Sequence, residues 1–195
     1  MHSKRKLVTS IIMALMLTIG VLSPALQLDA YAKTATKNVN VGGVVFKFPK
    51  KYKSFDSLSF GSLKVYVDES SYDENAMKMN MIFTMAEKTS KKNLNFKSLD
   101  DESLAQLANA NTGSAISAQD IKISSVRKTK AAGYQAVIMD VSGKSLDIPV
   151  TERMLLVANT KQKKLVMVIA AETNGDGSSL SVIDSMVKTA KKKKK

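Results

Sequence analysis

The segment Glu172-x-Asn174-x-Asp176-Gly177-Ser178 sets oxygen-bearing side chains at alternate positions ahead of a small turn residue. That is the pattern of the front half of a calcium loop. The twelfth position would be Ile183, where such a loop needs a bidentate glutamate, and the segment follows a strand pattern, not a helix. Asn-Gly and Asp-Gly are also good turn formers. Glu172, Asn174, Asp176 and Ser178 therefore read either as a calcium-responsive loop or as a strand-to-helix turn. Carboxylates gather twice more, at Asp68, Glu69, Asp73 and Glu74 and at Asp100, Asp101 and Glu102. A carboxylate-dependent hydrolase would need two of them held apart across a cleft. Neighbouring acids in a turn are expected to be solvated, and acids in a first helical turn to sit on its positive end. Met77, Met79, Met81 and Met85 recur at period two together with Phe83. Thioethers suit Cu(I), but sharing a face with Phe83 reads as core. Ser and Lys abound, and no one pair stands out as a catalytic dyad.

What the chain lacks excludes more. Residues 1–32 read as a cleavable signal peptide: Lys4, Arg5 and Lys6, an uncharged stretch Leu7–Leu22, Pro24 as breaker, and a small-x-small box at Ala30-Tyr31-Ala32. An uncleaved N-terminal membrane anchor is the alternative, since the uncharged run reaches Leu28. With no cysteine anywhere, a lipid-modified thiol is excluded. The leader holds three of the 30 basic residues and one of the 17 acids, so the remaining 163 residues carry 27 and 16, a net charge of +11. His2, the sole histidine, goes with the leader. Without imidazole or thiol, the usual general base, the Ser and Cys triads, and the usual zinc and haem ligands are gone. No phosphate-cradling glycine motif occurs. The expectation is a non-enzymatic, cofactor-free, secreted or envelope-associated domain without disulfides.

The positive charge is lysine charge, because Arg127 and Arg153 are the only arginines after Arg5. Base reading and bidentate phosphate grips favour guanidinium. A lysine surface suits diffuse attraction to polyanions such as lipid head groups, wall polymers or nucleic acid met by chance, or serves solubility alone. The partner expected is therefore an envelope protein or an anionic surface and not a specific nucleic acid. Lys191, Lys192, Lys193, Lys194 and Lys195 form a terminal run expected to extend the last helix into solvent. Near an anionic membrane each lysine contributes on the order of 1 kcal/mol, so the run would give salt-sensitive attachment.

Periodicity sets the elements that position these groups. Residues 33–38 read as a flexible lead-in and 39–190 as one domain. Val39, Val41, Val44, Phe46 and Phe48 share one face if Gly42-Gly43 makes a two-residue turn. Strands are expected around Leu63–Val67, with an acidic turn at Asp68–Asn75, and at Met77–Met85, Ile121–Lys128, Tyr134–Val141, Pro149–Asn159 and Lys164–Glu172. Leu165–Ala171 is apolar on both faces and should lie centrally. Ser98 is placed as the cap of a middle helix, and Leu180, Ile183, Met186 and Val187 give a second helix begun by Ser178 or Ser179. The fold class is α+β: a mostly antiparallel sheet flanked by helices in a three-layer sandwich.

Four marks carry a resemblance over roughly residues 39–189: Phe46-Lys-Phe48-Pro49 closing the hairpin, Leu99-x4-Leu104-x2-Leu107, Gly133-Tyr134-Gln-Ala136 with Arg153–Asn159, and Ile183-Asp-Ser185-Met-Val187. This order resembles the PsbP-like sandwich, a fold also seen in a nuclear-transport cofactor and in bacterial exported proteins. The resemblance implies a binding or accessory role, and no functional residues carry over with it.

Overall fold

Two glycines start the architecture. In the computed structural model, which describes residues 35–59, 61–112, 122–145 and 147–193, β1 (Thr36–Val41) and β2 (Val44–Pro49) form the expected hairpin. Val39 pairs with Phe46 and Val41 with Val44. Gly42 and Gly43 turn at φ +54° and +86°, the positive values that a primed two-residue turn requires. β1 begins at Thr36, inside the stretch expected to be a flexible lead-in, because Thr36, Lys37 and Asn38 find partners in Pro49, Phe48 and Lys47. The leader, Ile121 at the start of the expected Ile121–Lys128 strand, Lys194 and Lys195 lie outside the described residues.

Seven further strands make one antiparallel sheet: β3 (Tyr52–Ser54), β4 (Lys64–Asp73), β5 (Lys78–Lys88), β6 (Lys122–Ala131), β7 (Tyr134–Ser145), β8 (Ile148–Asn159) and β9 (Lys164–Thr173). Their order is β3-β4-β5-β9-β8-β7-β6. β9 is the central strand, as its doubly apolar sequence requires. Leu165, Met167, Ile169 and Ala171 face one core, and Val166, Val168 and Ala170 the other. The first face also buries Met79, Met81 and Phe83 under Leu94 and Phe96 of the connection after β5 and Leu104 of helix α1 (Asp101–Thr112). The methionine strand is thus core, except Met77, which turns outward at φ +48° and is half exposed.

The second face is covered by the hairpin and by helix α2 (Val182–Thr189), through Val44, Phe46, Phe48, Ile183 and Met186. Burying each such side chain contributes about 1.5–3 kcal/mol. The hairpin thus belongs to an outer layer and not to the large sheet. Among the described residues no helix is long and apolar enough to cross a membrane.

Three local expectations are corrected. The lysine run does not extend α2: the chain leaves the helix at Ala190, whose ψ is 137°. Lys191 and Lys192 then form β10, antiparallel to β2 opposite Val45 and Val44. The Lys193 N–H donates to Gly43 O at 3.0 Å, so the second edge of β2 supplies the partners that a solvated tail would lack. The acidic turn at 68–75 is mostly strand, since β4 runs through a register shift between Asp68 and Asp73. Ser71 Oγ takes the Asn80 N–H at 2.8 Å there and fills the gap in the ladder. Finally, Asp100 caps α1, its Oδ1 accepting the Ser103 N–H at 2.7 Å. Ser98 instead donates to Asn95 O.

Candidate functional site

One row of the large sheet is polar on every strand. Tyr52, Asp68, Asn80, Glu172, Thr151, Ser142 and Lys122 are register partners in succession from β3 to β6. Directly opposed residues share a face, and Tyr52 assigns this row to the second one. Asp68 is 1% exposed and bound by Lys51 Nζ at 2.7 Å and by Ser70 Oγ at 2.6 Å. Burial, then the charges of Asp68 and Glu172, push the Tyr52 hydroxyl far above its ordinary pKa. Both carboxylates therefore act on one phenol from different strands.

Glu172 is also 1% exposed. Its Oε2 accepts from Ser179 Oγ at 2.5 Å and from the Ser179 N–H at 3.3 Å. A Cβ at position 175 would overlap the Glu172 carboxylate, so only a glycine lets the loop close over it. The other calcium-loop candidates are engaged elsewhere. Asn174 Nδ2 donates to Ala76 O at 2.9 Å, and Asp176 Oδ1 accepts the Ser178 N–H at 2.9 Å. Among the described residues no three His, Cys, Asp or Glu side chains gather as a metal cluster. The two acid groups also disperse. Asp68 is buried and Glu69, Asp73 and Glu74 are exposed, while Asp100, Asp101 and Glu102 mark the start of α1.

Beside the row, both arginines of the folded domain converge on one aspartate. Arg153 grips Asp140 through Nε (2.6 Å) and Nη2 (3.1 Å) and reaches Asp184 with Nη1 (2.6 Å). Arg127 meets the other Asp184 oxygen at 2.8 Å. Asp184 lies in the first turn of α2, where the dipole favours it. The network ties α2 to β6, β7 and β8. Burial alone would raise the Asp140 pKa; the Arg153 and Ser125 hydrogen bonds, with both arginine charges, hold it below the usual range. Sequence reasoning missed this network. Its signal was the rarity of arginine, since planar, forked donors are placed where bidentate geometry matters.

The expected effects follow from the fork. Arg153→Lys keeps the charge but not the two-aspartate grip and should lose roughly 1 kcal/mol. Arg153→Met leaves two half-buried carboxylates facing each other and should lose roughly 2 kcal/mol. Urea unfolding at neutral pH measures both, and combining each with Asp184→Asn should show coupling; strict additivity would contradict the network.

The third feature is a basic edge. β6 is the outermost strand of the large sheet and carries Lys122, Arg127, Lys128 and Lys130 with no acid. At its turn into β7, Lys192 of β10 lies over the Tyr134 ring, 4.9 Å from its centroid. Its Nζ stands 3.8 Å from where a Gly133 Cβ would be. Lys191, Lys192 and Lys193 are exposed, so these three lysines belong to the folded surface, with Lys192 beside the turn that follows β6. Arg127 is held by Asp184, and Lys128 donates to Leu99 O.

No family model and no curated protein sequence matches the chain. Solved structures do. The Saccharomyces cerevisiae Ran-binding protein Mog1p matches with a TM-score of 0.54 at 14% identity, over 81% of this chain and 95% of that one. The cyanobacterial PsbP of Synechocystis matches with a TM-score of 0.53 at 10% identity, over 87% and 99%. The antiparallel sheet, the covering helix on each face and this overlap along both chains give the chain the PsbP-like fold.

Proposed function

We propose that this chain is a non-catalytic, exported accessory domain that docks on a phosphate-rich or otherwise anionic surface of the cell envelope through its β6–β10 edge. The observation that carries the reading is the packing of Lys192 of β10 against Tyr134 and Gly133 at the turn from β6 into β7, which brings the β10 lysines to one end of a lysine-bearing edge strand. Lysines fixed along strands lose less freedom on binding than lysines on a loose tail. An edge strand with lysines also resists pairing with another β-edge, which favours a charged partner over strand addition. One structural neighbour, Mog1p, is a Ran-binding protein; from it we take the general role of a binding module. The hydrolase alternative gains no support from Asp68 and Glu172, which are buried and held by Lys51 and Ser70 and by Ser179 respectively.

The test is sedimentation of the protein, purified as its host produces it, with vesicles of anionic or zwitterionic lipid and with isolated wall polymer. At low salt the lipid and polymer arms separate the two sources of negative charge. Replacing Lys191, Lys192 and Lys193 together by Ala should weaken anionic binding about 100-fold, from roughly 1 kcal/mol per lysine. Binding that ignores both salt and the triple substitution would contradict the reading.

A further inference from the structure

Several turns meet at one end of the large sheet, and lysine is the charge they share. β5 finishes with Lys88 opposite Lys164, and β8 finishes with Asn159 opposite the same residue. The β8–β9 turn, residues 160–163, carries Lys161 and Lys163. The Thr89 N–H donates to Lys163 O at 3.0 Å, which sets the chain after β5 beside that turn. There the helical turn Lys92–Leu94 anchors Leu94 in the first core and leaves Lys91 and Lys92 outside. On the second face the hairpin tip closes the end. Gly43 lies against the Gln162 side chain, and its carbonyl takes the Lys193 N–H. Continuing the Ala136–Val157 register by two residues brings Tyr134, under Lys192, level with Asn159. This end therefore meets the β6–β10 edge at a corner.

The charge there is one-sided. Lys88, Lys91, Lys92, Lys161 and Lys163 are exposed, and none forms an ion pair among the described residues. Across residues 86–97, 159–164 and 191–193 the sequence has one acid, Glu87. The opposite end of the sheet carries Asp73, Glu74, Asp147 and Asp176, mixed with Lys78 and Lys144. A domain polarised in this way turns its lysine end toward a broad negative surface.

The kind of partner follows from what the end presents. It offers no arginine fork for reading bases, and its rings Phe96 and Tyr134 are buried and closed to stacking, which speaks against nucleic acid. The exposed large apolar side chain among the described residues, Met77, belongs to the β4–β5 turn at the far end. Nothing is offered to acyl chains, so attachment stays at the level of head groups and yields to salt. The lysines cover an area around a corner, not a line, which matches a bilayer better than a single polymer chain.

We propose that the lysine end centred on the β8–β9 turn is the contact face for an anionic lipid bilayer, with the β6–β10 edge as its flank. The proposal rests on the anionic-surface reading for the sign of the partner; it adds the bilayer as that partner and the lysines that meet it.

The experiment is co-sedimentation at low salt of the purified protein with vesicles of equal parts phosphatidylglycerol and phosphatidylcholine, beside isolated wall polymer. Lys161→Gln with Lys163→Gln, and separately Lys91→Gln with Lys92→Gln, should each weaken vesicle binding about 30-fold. Lys53→Gln with Lys64→Gln removes two exposed charges from the β3–β4 side of the sheet and should bind nearly as the unmodified protein does. Equal losses in all three pairs would overturn the proposal, because net charge alone would then decide binding. Full binding by both end pairs, with the Lys191–Lys193 triple substitution weakened, would overturn it and leave the edge reading standing. Losses at the end pairs with the triple substitution silent would uphold the end and remove the edge. Binding to wall polymer with none to vesicles would overturn the bilayer as partner. Binding to neither would overturn this proposal and the anionic-surface reading together.

Discussion

Glu152→Gln should make the protein more stable at pH 8 and leave it nearly unchanged at pH 4. Glu152 sits on β8 between its register partners Val141 and Ala171 on the first face, 3% exposed, and its Oε1 has no partner. Burial in that apolar layer pushes its pKa up from 4.5 to about 7. The folded protein therefore binds a proton that the unfolded chain releases between those two values. Stability contributed by the protonated carboxyl is complete below about pH 4.5 and is lost as pH rises through about 7. A shift of that size corresponds to a cost on the order of 3 kcal/mol for the ionised form. Gln keeps the shape and removes the ionisation, so a gain of roughly 2 kcal/mol is expected at pH 8, with Leu gaining more by also removing the open acceptor. Urea unfolding at both pH values checks this. Equal effects at pH 4 and pH 8 would mean that the carboxylate has a compensating partner. The Asp140–Arg153 pair has the opposite sign: its lowered pKa contributes stability above the usual carboxylate range, lost as pH falls through it.

Gly42→Ala should be the most damaging conservative change in the first hairpin. The tip of that hairpin rests on the sheet. A Cβ at 42 would stand 2.6 Å from Ala86 Cβ and 2.8 Å from Val166 Cγ2, and the backbone there has φ +54°. Asn159, itself buried, clamps the same residue by donating to Gly42 O at 2.7 Å. Overpacking and left-handed strain of about 1–3 kcal/mol each add, so a loss of about 3 kcal/mol or more is expected. Gly43→Ala meets only the end of the Gln162 side chain, which can swing away. Gly133→Ala meets nothing nearer than 3.7 Å and bears the φ strain alone. The order of damage in denaturant unfolding should be 42, then 43, then 133. A Gly42→Ala protein as stable as Gly133→Ala would show that the tip does not pack where described.

This contrast separates what could be read from the chain and what could not. The Gly42-Gly43 turn, the registration of Val39 with Phe46 and the central place of β9 all follow from local pattern, and each could be written down from sequence. The burial of Glu152 could not. Thr151-Glu152-Arg153 has the look of a solvated strand end, and only long-range cover of both faces turns alternate residues into a buried acid on one side and an ion network on the other. Lys191–Lys192 misled for a related reason: a lysine run has little intrinsic strand preference, and the open edge of β2 that pairs with Lys191 and Lys192 lies far back in the chain, at Val44 and Val45. Asp68 was read as part of a turn because the Ser70–Ser71 irregularity hides the continuation of β4. The candidate site was therefore legible as ingredients, the scarce arginines and the terminal lysines, and illegible as geometry.

The basic edge is best tested by asking which amides are touched when the protein binds an anionic vesicle. Backbone resonances of the protein, followed as vesicles are added at low salt, give that footprint. Selective broadening along Lys122–Lys130 and Lys191–Lys193, reversed by salt, is the expected result. Broadening centred on α1 and the segment before it, with β6 and β10 unaffected, would contradict the docking surface proposed for this protein.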